Sequence, residues 1–294
     1  MKTLTVFTPT YNRAYILKKC YDSLKNQTSK DFIWLIIDDG SSDNTKEVVK
    51  VWIDEGIVEI RYYYQENKGM HGAHNTAYSL INTEINTCID SDDYMPLDAV
   101  KKIVEFWNIN KKDYLAGFAA LDSYDNGQVI GSKFPKGLEE TTYFDMYHLN
   151  GIKGDKKLIY KTELTKKYPY PIFEGEKYVS LAYKYAKLDE EYKITLMNEV
   201  VCIVEYLQDG SSKNMLRQYR KNPKGFAFIR LENLKNPKSK LSFKFKECVH
   251  YVSSSIMARD KKFLSKTPLK IMTIIAMPIG IILYTYIMKK TKEA

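Results

Sequence analysis

The sequence predicts an α/β fold built on a mostly parallel sheet, followed by a basic helical region. Three observations support this prediction. Short apolar segments alternate with helical ones over the first 93 residues, a polar cluster follows each apolar segment, and basic residues concentrate after residue 209. The chain of 294 residues is 44% hydrophobic and 28% charged, which is ordinary for a globular protein of one or two domains. Strands that alternate with helices indicate a parallel sheet covered on both faces.

Two β–α units open the chain. Residues 4–8 form a short apolar segment typical of a buried strand, and residues 14–25 carry apolar side chains at helical spacing. The pattern repeats with a strand at 32–37 and a helix from about Thr45 to Glu55. The later predictions are strands at 58–64, 87–90, 114–121 and 200–207, helices at 74–81 and 175–187, and an irregular segment at 127–154.

Four polar clusters follow the first four predicted strands. They are Thr8–Arg13, Asp38–Asp43, Glu66–Gly69 and Asp90–Asp93. Because ligands of such sheets bind at the carboxyl ends of the strands, we expect these clusters to converge at one edge.

The three aspartates Asp90, Asp92 and Asp93 suit a divalent cation, because crowded carboxylates are costly unless neutralised. Mg²⁺ or Mn²⁺ held by one or two of them would keep positions open for phosphate oxygens. The alternative is a solvated turn before a helix near Asp98. Asp38 and Asp39 have a similar alternative, since the residues around them are also typical of a helix start.

In their order and spacing, these four motifs resemble those of the inverting nucleotide-sugar glycosyltransferases of family 2. The resemblance is strong over residues 3–120 and looser over 150–210. It implies the GT-A fold, which is Rossmann-like, a nucleotide-sugar donor, and Mn²⁺ or Mg²⁺ as cofactor at the family's DXD motif.

The resemblance also implies site residues. Tyr11 would flank the nucleobase, Asp39 would hydrogen-bond it, and Asp92 would bind the metal, with Asp93 as a second candidate ligand. The family's basic residue after the Asn-Xaa-Gly turn is missing, and Lys68 and His71 are the two candidates to replace it. The donor-binding residues implied are Thr8, Pro9, Tyr11, Asp38, Asp39, Asn67, Lys68, Gly69, Asp90 and Ser91.

An inverting transfer also needs a carboxylate base that removes the acceptor proton. The family places it in a later acidic motif, and Glu176 is the prediction here because Gly175 permits a tight turn beside it. Glu174 and Asp155 are the alternatives. Lys177 stands where many relatives have an aspartate, and an exposed acidic helix start is the structural interpretation of the same segment.

The four cysteines lie far apart in sequence, which argues against a disulfide framework or a zinc site and favours a reduced, cytoplasmic compartment. The short apolar stretch after Met1 lacks the features of an export signal. The four histidines do not form a ligand set with the cysteines.

The C-terminal part is strongly basic. From Gly210 to Ala294 there are 19 Lys and Arg against 4 Asp and Glu, a net charge of +15, whereas the rest of the chain carries −6.

An apolar segment lies within this basic part. Residues 271–288 are uncharged and would span about 27 Å as a helix. Pro278, Gly280 and the lysines on both sides predict a broken hairpin or an interfacial helix pair rather than a crossing. Residues 241–257 are predicted to form a second amphipathic helix, facing either a membrane or the protein.

We therefore expect a catalytic domain at 1–208 and a basic region at 209–294 with a membrane-associating segment at 268–288. The expected activity is inverting, metal-dependent transfer of a hexosyl or N-acetylhexosaminyl group from a UDP-sugar to a hydroxyl of a lipid-linked glycan in cell-surface polysaccharide synthesis. The expected location is the cytoplasmic face of an anionic membrane, peripheral or monotopic. The rival interpretation is a catalytically silent module that binds a nucleotide-sugar or a glycan. Nucleic acid is not an expected partner, because no recognised binding motif accompanies the positive charge.

Overall fold

The structure is a computed structural model, and it describes residues 2–205 and 214–292. Its strands are β1 Leu4–Thr10, β2 Phe32–Asp38, β3 Ile60–Tyr64, β4 Ile85–Cys88, β5 Leu115–Ser123, β6 Glu140–Thr141, β7 Lys156–Lys161 and β8 Lys193–Ile203. Its helices are α1 Ala14–Lys25, α2 Thr45–Glu55, α3 Gly69–Leu80, α4 Ala99–Asn110, α5 Tyr143–His148, α6 Thr162–Lys167, α7 Ala182–Leu188, α8 Met215–Lys221, α9 Pro223–Lys235, α10 Leu241–Met257, α11 Phe263–Lys266 and α12 Lys270–Lys290.

The eight strands form one sheet in the order β3-β2-β1-β4-β7-β5-β8-β6. The first four strands in the chain are neighbours and run parallel, as the sequence predicts. Strand β7 lies between β4 and β5 and is antiparallel to both. The second half of the sheet is therefore mixed, which the sequence pattern did not indicate.

The sheet is covered by apolar side chains on both faces. On one face, Trp34 of β2 stacks with Tyr21 of α1 and Trp52 of α2, whose ring centroids lie 4.4 to 6.1 Å apart. On the other, Phe7 of β1 contacts His74 and Tyr78 of α3 edge-on. This double burial explains why β2 is a continuous apolar run rather than an alternating one.

The chain divides into two compact units. The first comprises Met1–Pro169 and Lys184–Leu207, and the second comprises Tyr170–Tyr183 and Gln208–Ala294. The segment 170–183 thus belongs with the C-terminal residues, whereas the predicted division was continuous. The predicted boundary at 208 itself lies outside the described residues.

The second unit is helical. Helix α10 packs against both α9 and α12, and its Val249 and Cys248 are buried with Leu234 of α9 and Ala276 of α12. Residues 241–257 are therefore a helix whose apolar side contacts protein. Helix α12 runs without a break through Pro278, so the predicted hairpin at this position is wrong.

Candidate functional site

The carboxyl ends of β1 to β4 meet at one edge of the sheet, as predicted from the sequence. Thr10, at the end of β1, accepts a hydrogen bond on its carbonyl oxygen from the backbone N–H of Asp39 at 2.8 Å. Gln65, after β3, donates its backbone N–H to the Asp38 carbonyl at 2.9 Å. Ile89, after β4, donates in the same way to Phe7 of β1 at 3.0 Å. The polar segments after these strands are therefore neighbours in space.

The turn after β1 is joined to the loop after β2 through Asn12, which has a left-handed backbone with φ of 53°. Its side-chain oxygen accepts the backbone N–H of Ser42 at 2.7 Å, and its own N–H donates to the Ser41 hydroxyl at 2.9 Å. The adjacent Tyr11 is half exposed and presents its ring at this edge. The side chain of Thr8 is turned into the core, where its hydroxyl accepts from Trp34 Nε1, so that only its backbone remains for a ligand.

The two aspartates at the end of β2, its last residue Asp38 and the next residue Asp39, are both buried and make different contacts. Asp38 accepts the Ser41 N–H at 2.7 Å and the Tyr62 hydroxyl at 2.6 Å, and burial together with this carboxylate raises the pKa of Tyr62. Asp39 accepts two hydrogen bonds on Oδ1, from Gln65 Nε2 at 2.6 Å and from the Lys68 N–H at 2.8 Å. Asp39 thereby fixes the loop that carries Asn67, Lys68 and Gly69.

Gln65 lies at this edge of the sheet and contacts Asp39, which sequence reasoning missed. Its amide nitrogen is assigned by the Asp39 carboxylate, which can only accept. Its Oε1 is buried and has no hydrogen-bond partner among residues 2–205 and 214–292. The available signal was its position directly after β3.

The three aspartates after β4 occupy different environments. Asp90 is exposed and Asp92 is half-buried, whereas Asp93 is buried. Asp93 Oδ2 lies 3.8 Å from Lys157 Nζ, and Asp93 Oδ1 accepts the Glu205 N–H at 3.3 Å. Burial raises the pKa of Asp93 to about 7, against the opposing effect of Lys157.

Lys157 is the second residue that the sequence did not reveal. It lies in β7, and its ammonium donates to the Cys88 carbonyl at 3.3 Å, at the end of β4. Burial alone would lower the pKa of Lys157, but Cys202, Asp122 and the aspartates after β4 raise it well above its usual value. One buried cation thus compensates carboxylates from two strand ends.

The histidines near this edge are buried in α3. His74 Nδ1 lies 3.3 Å from the Tyr78 hydroxyl, and its Nε2 lies 3.7 Å from Cys88 Sγ, which in turn lies 3.7 Å from Asp90 Oδ1. Burial lowers the pKa of His74 to about 3, so its imidazole is neutral at physiological pH. His71 is also buried, whereas Lys68 is exposed at the same turn.

The donor set at this edge fits a divalent cation that shares its coordination with a ligand. Within residues 2–205 and 214–292, no three His, Cys, Asp or Glu side chains are placed to hold a metal by themselves. Asp90 is exposed and Asp92 half-buried, and both carry the hard oxygen atoms that such a cation requires, while Asp93 faces Lys157. Mg²⁺ and Mn²⁺ accept such sites, with phosphate and water completing the coordination sphere.

The three candidate bases lie in different surroundings. Glu176 follows the predicted turn, in which Gly175 has φ of +78° and the Glu176 N–H donates to Phe173 at 3.0 Å. Its carboxylate is buried and accepts the backbone N–H groups of Lys224 and Gly225 at 2.9 and 2.8 Å, in the first turn of α9. Glu174 and Asp155 are exposed.

The comparisons with known proteins agree with this geometry. The profile described as glycosyl transferase family 2 matches residues 5–168. The chain is 29% identical over 67% of its length to the glycosyltransferase GlyA of Streptococcus pneumoniae, and 26% identical over 74% to a GalNAc(5)-diNAcBac-PP-undecaprenol beta-1,3-glucosyltransferase of Campylobacter jejuni. The matches cover 29% of the former protein and 71% of the latter.

Solved structures show the same fold. The crystal structure of S. aureus TarS 1-349 in complex with UDP-GlcNAc covers all of this chain and 92% of its own, with a TM-score of 0.65 and 18% identity. The mannosyltransferase PcManGT of Pyrobaculum calidifontis, in complex with GDP-Man and Mn²⁺, covers 99% of this chain and 75% of its own, with a TM-score of 0.56 and 17% identity. The fold is therefore the GT-A fold that the resemblance implied. Together with the family profile, which spans more than half of the sequence, these findings establish that the chain belongs to glycosyl transferase family 2.

Proposed function

We propose that the protein is an inverting, metal-dependent glycosyltransferase that moves a sugar from a UDP-sugar to a hydroxyl of a lipid-linked glycan. The observation that carries the proposal is the convergence of Tyr11, Asp39 and the aspartates after β4 at one edge of a GT-A sheet. The names of the similar proteins support the substrate classes, since one relative acts on an undecaprenol-linked glycan and one structural neighbour binds UDP-GlcNAc. The transferred group would be a hexosyl or N-acetylhexosaminyl unit.

The chain's own residues suit the donor half of the reaction. Asp39 is held by Gln65 and the Lys68 N–H, so a nucleobase that donates to its carboxylate meets a fixed acceptor. Asp92 would hold Mn²⁺ or Mg²⁺, which when bound neutralises the charge that develops on the departing diphosphate. Of the other two carboxylates, Asp93 is the predicted second ligand but faces Lys157, so the exposed Asp90, predicted only to bind the donor, is the alternative second ligand. A fixed acceptor and a fixed charge lower the reorganisation that the transition state would otherwise require.

The acceptor half needs a base, for which Glu176 remains our prediction, with Glu174 and Asp155 as alternatives. A carboxylate oxygen has two lone pairs, so the bonds from Lys224 and Gly225 leave acceptor capacity on Glu176. The same two bonds favour the rival function, a catalytically silent nucleotide-sugar or glycan module, because they give Glu176 a structural role. We propose the cytoplasmic face of a membrane as the location, where a lipid-linked acceptor is found.

The proposal is tested by incubating the purified full chain with a panel of UDP-, GDP- and CDP-sugars, with Mn²⁺ or with EDTA. We expect hydrolysis or transfer of a UDP-sugar that requires the metal, and Asp92→Asn to abolish both this activity and metal-dependent UDP binding. Donor binding without any turnover would favour the silent module. If Asp92→Asn and the unaltered protein bind UDP with equal affinity in Mn²⁺, Asp92 is not a metal ligand.

A further inference from the structure

Helix α12 exposes a wide apolar face. Its seven large exposed apolar residues have between 46% and 77% of their surface exposed. At 3.6 residues per turn they all fall on one side of the helix. We call this side the isoleucine face. It consists of Ile271, Ile274, Ile275, Ile279, Ile281, Ile282 and Tyr286.

The opposite side of α12 is fixed against protein. Gly280 lies so close to α10 that an added Cβ would be 2.6 Å from Val252 Cβ, and the Thr273 hydroxyl lies 3.5 Å from Cys248 Sγ. At the end of the helix, Arg220 of α8 donates to the Thr291 carbonyl at 2.6 Å. The isoleucine face is therefore what remains after the helix has packed, and not a core face that the fold left incomplete.

An uncharged face of this size is unfavourable in water. Soluble monomers rarely expose a contiguous apolar patch of more than a few hundred Å². In the part of the chain that the structure describes, α12 is also the one helix long and apolar enough to cross a membrane. We therefore expect the isoleucine face to bind a partner, and the centre of that partner's contact surface must be apolar.

The charges around α12 indicate what this partner is. Exposed lysines lie at or near both ends of the helix, some within its first and last turns and some just outside them: Lys261, Lys262, Lys266, Lys270, Lys289, Lys290 and Lys292. A bilayer with anionic headgroups offers both an apolar interior and negative charge, and amphipathic helices that lie in its interface combine these same two features. A second copy of this chain would instead bring two sets of lysines together.

The packing also determines the orientation. A crossing helix would leave lysines on both sides of the membrane and would draw α10 inward along its packed side. Helix α10 carries Lys244, Lys246 and Glu247, and Glu247 is buried in an ion pair with Arg230 at 2.8 Å. An in-plane helix keeps all these charges in water or protein while its outer face enters the lipid.

We propose that α12 is a monotopic membrane anchor that lies flat in the interface of an anionic bilayer, with the isoleucine face buried among the acyl chains. This inference deepens the proposed membrane location and rests on that part of the proposed function. It does not depend on sugar transfer, because binding to lipid can be measured without any donor or acceptor.

The first test is co-sedimentation of the full chain with vesicles of phosphatidylglycerol and phosphatidylcholine. We expect the unaltered protein to bind, and the double variant Ile275→Asp, Ile282→Asp to lose at least tenfold in apparent affinity. Ile109→Asp is the matched control, because this isoleucine of α4 is 81% exposed and lies outside α12. The control should bind normally, and all three proteins should melt at similar temperatures. Normal vesicle binding by the double variant would overturn the inference.

The second test measures depth. Ile271→Trp and Ile282→Trp are each combined with vesicles that contain brominated lipids, and the native tryptophans Trp34, Trp52 and Trp107 are a constant background because they are buried. A flat helix places both new indoles at the same shallow depth. A crossing helix would place one of them near the bilayer centre, and this result would overturn the proposed orientation.

Two other outcomes separate this inference from its alternatives. A dimer in lipid-free solution that the double Asp variant dissociates would show that a second copy covers the isoleucine face. If the protein binds vesicles but turns over no nucleotide-sugar, the membrane anchor is supported and the proposed glycosyltransferase activity is contradicted.

Discussion

The aspartate cluster after β4 depends on the charge of Lys157. With its ammonium removed, the buried Asp93 would lose the cation that faces it, and breaking a buried ion pair in this way costs about 3–5 kcal/mol when the remaining carboxyl is ionised. We expect Lys157→Met to lower the melting temperature and to weaken Mn²⁺-dependent UDP binding at least tenfold, as measured by titration calorimetry. Lys157→Arg should retain most of both properties.

A matched double variant separates charge from packing at this position. Lys157→Met combined with Asp93→Asn removes one charge of each sign, so it should recover much of the lost stability. An unchanged melting temperature for Lys157→Met alone would show that the pair contributes little.

The buried carboxyl of Asp122 predicts a pH dependence of stability. Burial raises its pKa to about 6, against the opposing effect of Lys157. In the part of the chain that the structure describes, its Oδ1 has no hydrogen-bond partner. Between pH 4 and 6 the unfolded chain loses this proton while the folded chain keeps it, so its contribution to stability falls as pH rises. Asp122→Asn should therefore stabilise the protein at pH 7 by roughly 1–3 kcal/mol, with the gain shrinking toward pH 4. Denaturant melts at several pH values test this, and a gain that is equal at pH 4 and pH 7 would contradict it.

Glu176 can be tested for its two roles at once. Glu176→Gln keeps the size of the side chain but replaces one acceptor oxygen of the α9 cap with a donor, so we expect a loss of about 1–2 kcal/mol of stability. As a base it would also lose roughly 10²-fold or more in transfer rate with donor binding retained. Glu174→Gln is the matched comparison, because that residue is exposed and is an alternative base: it should keep both stability and transfer if Glu176 is the base. If folded Glu176→Gln keeps full transfer activity, another carboxylate is the base.

The sequence indicated those site residues that directly follow a strand. Asp39 and Asp90 were predictable because polar residues at strand ends meet along one edge. Lys157 was not, because it meets Asp93 only after β7 has entered the sheet antiparallel to β4, 64 residues further along the chain. The separate surroundings of Asp92 and Asp93 follow from that same long-range contact.

At the level of helices, Pro278 shows how packing overrides a local signal. Proline lacks an N–H and disfavours the helix interior, which is why the sequence predicted a break. Pro278 lies on the exposed side of α12, whereas the packed side carries the small residues Thr273, Ala276 and Gly280. Contact along that side with α10 holds the helix continuous past the missing hydrogen bond.

Gly280 provides the test of this close contact. In Gly280→Ala the new methyl group would overlap Val252, with Cβ atoms 2.6 Å apart, so α10 and α12 must separate. We expect a loss of about 1–3 kcal/mol in the free energy of unfolding, measured by denaturant titration. Val252→Ala in the same chain removes Cγ1, which would also lie 2.6 Å from the new methyl group, but keeps Cβ, so it should restore only part of the loss. Thr285→Ala, at an exposed position of α12, should change little. A fully stable Gly280→Ala protein would show that the two helices can adjust without cost.

Over the whole molecule, the parallel half of the sheet was predictable and the mixed half was not. Each of the first four strands pairs with a neighbour that is near it in the chain, or joins β1 through a helical crossover, and hydrophobic periodicity is sufficient to locate such units. In the second half, β5 pairs with β7 and β8 across segments that contain short helices and turns. No local pattern records these pairings.

The uneven charge of the chain gives the last prediction. Residues 210–294 carry +15, so part of the attraction to an anionic bilayer is electrostatic, worth about 1 kcal/mol for each lysine near the surface. Raising the salt concentration from 0.1 to 1 M shortens the screening length from about 10 to 3 Å and should remove most of this part. The isoleucine face is uncharged, so its contribution should persist, and the unaltered protein should remain partly bound to the vesicles in 1 M salt. The double variant Ile275→Asp, Ile282→Asp keeps the lysines, so any residual binding it shows in low salt should be lost in 1 M salt. Complete release of the unaltered protein by salt would mean that charge alone holds the chain on the membrane.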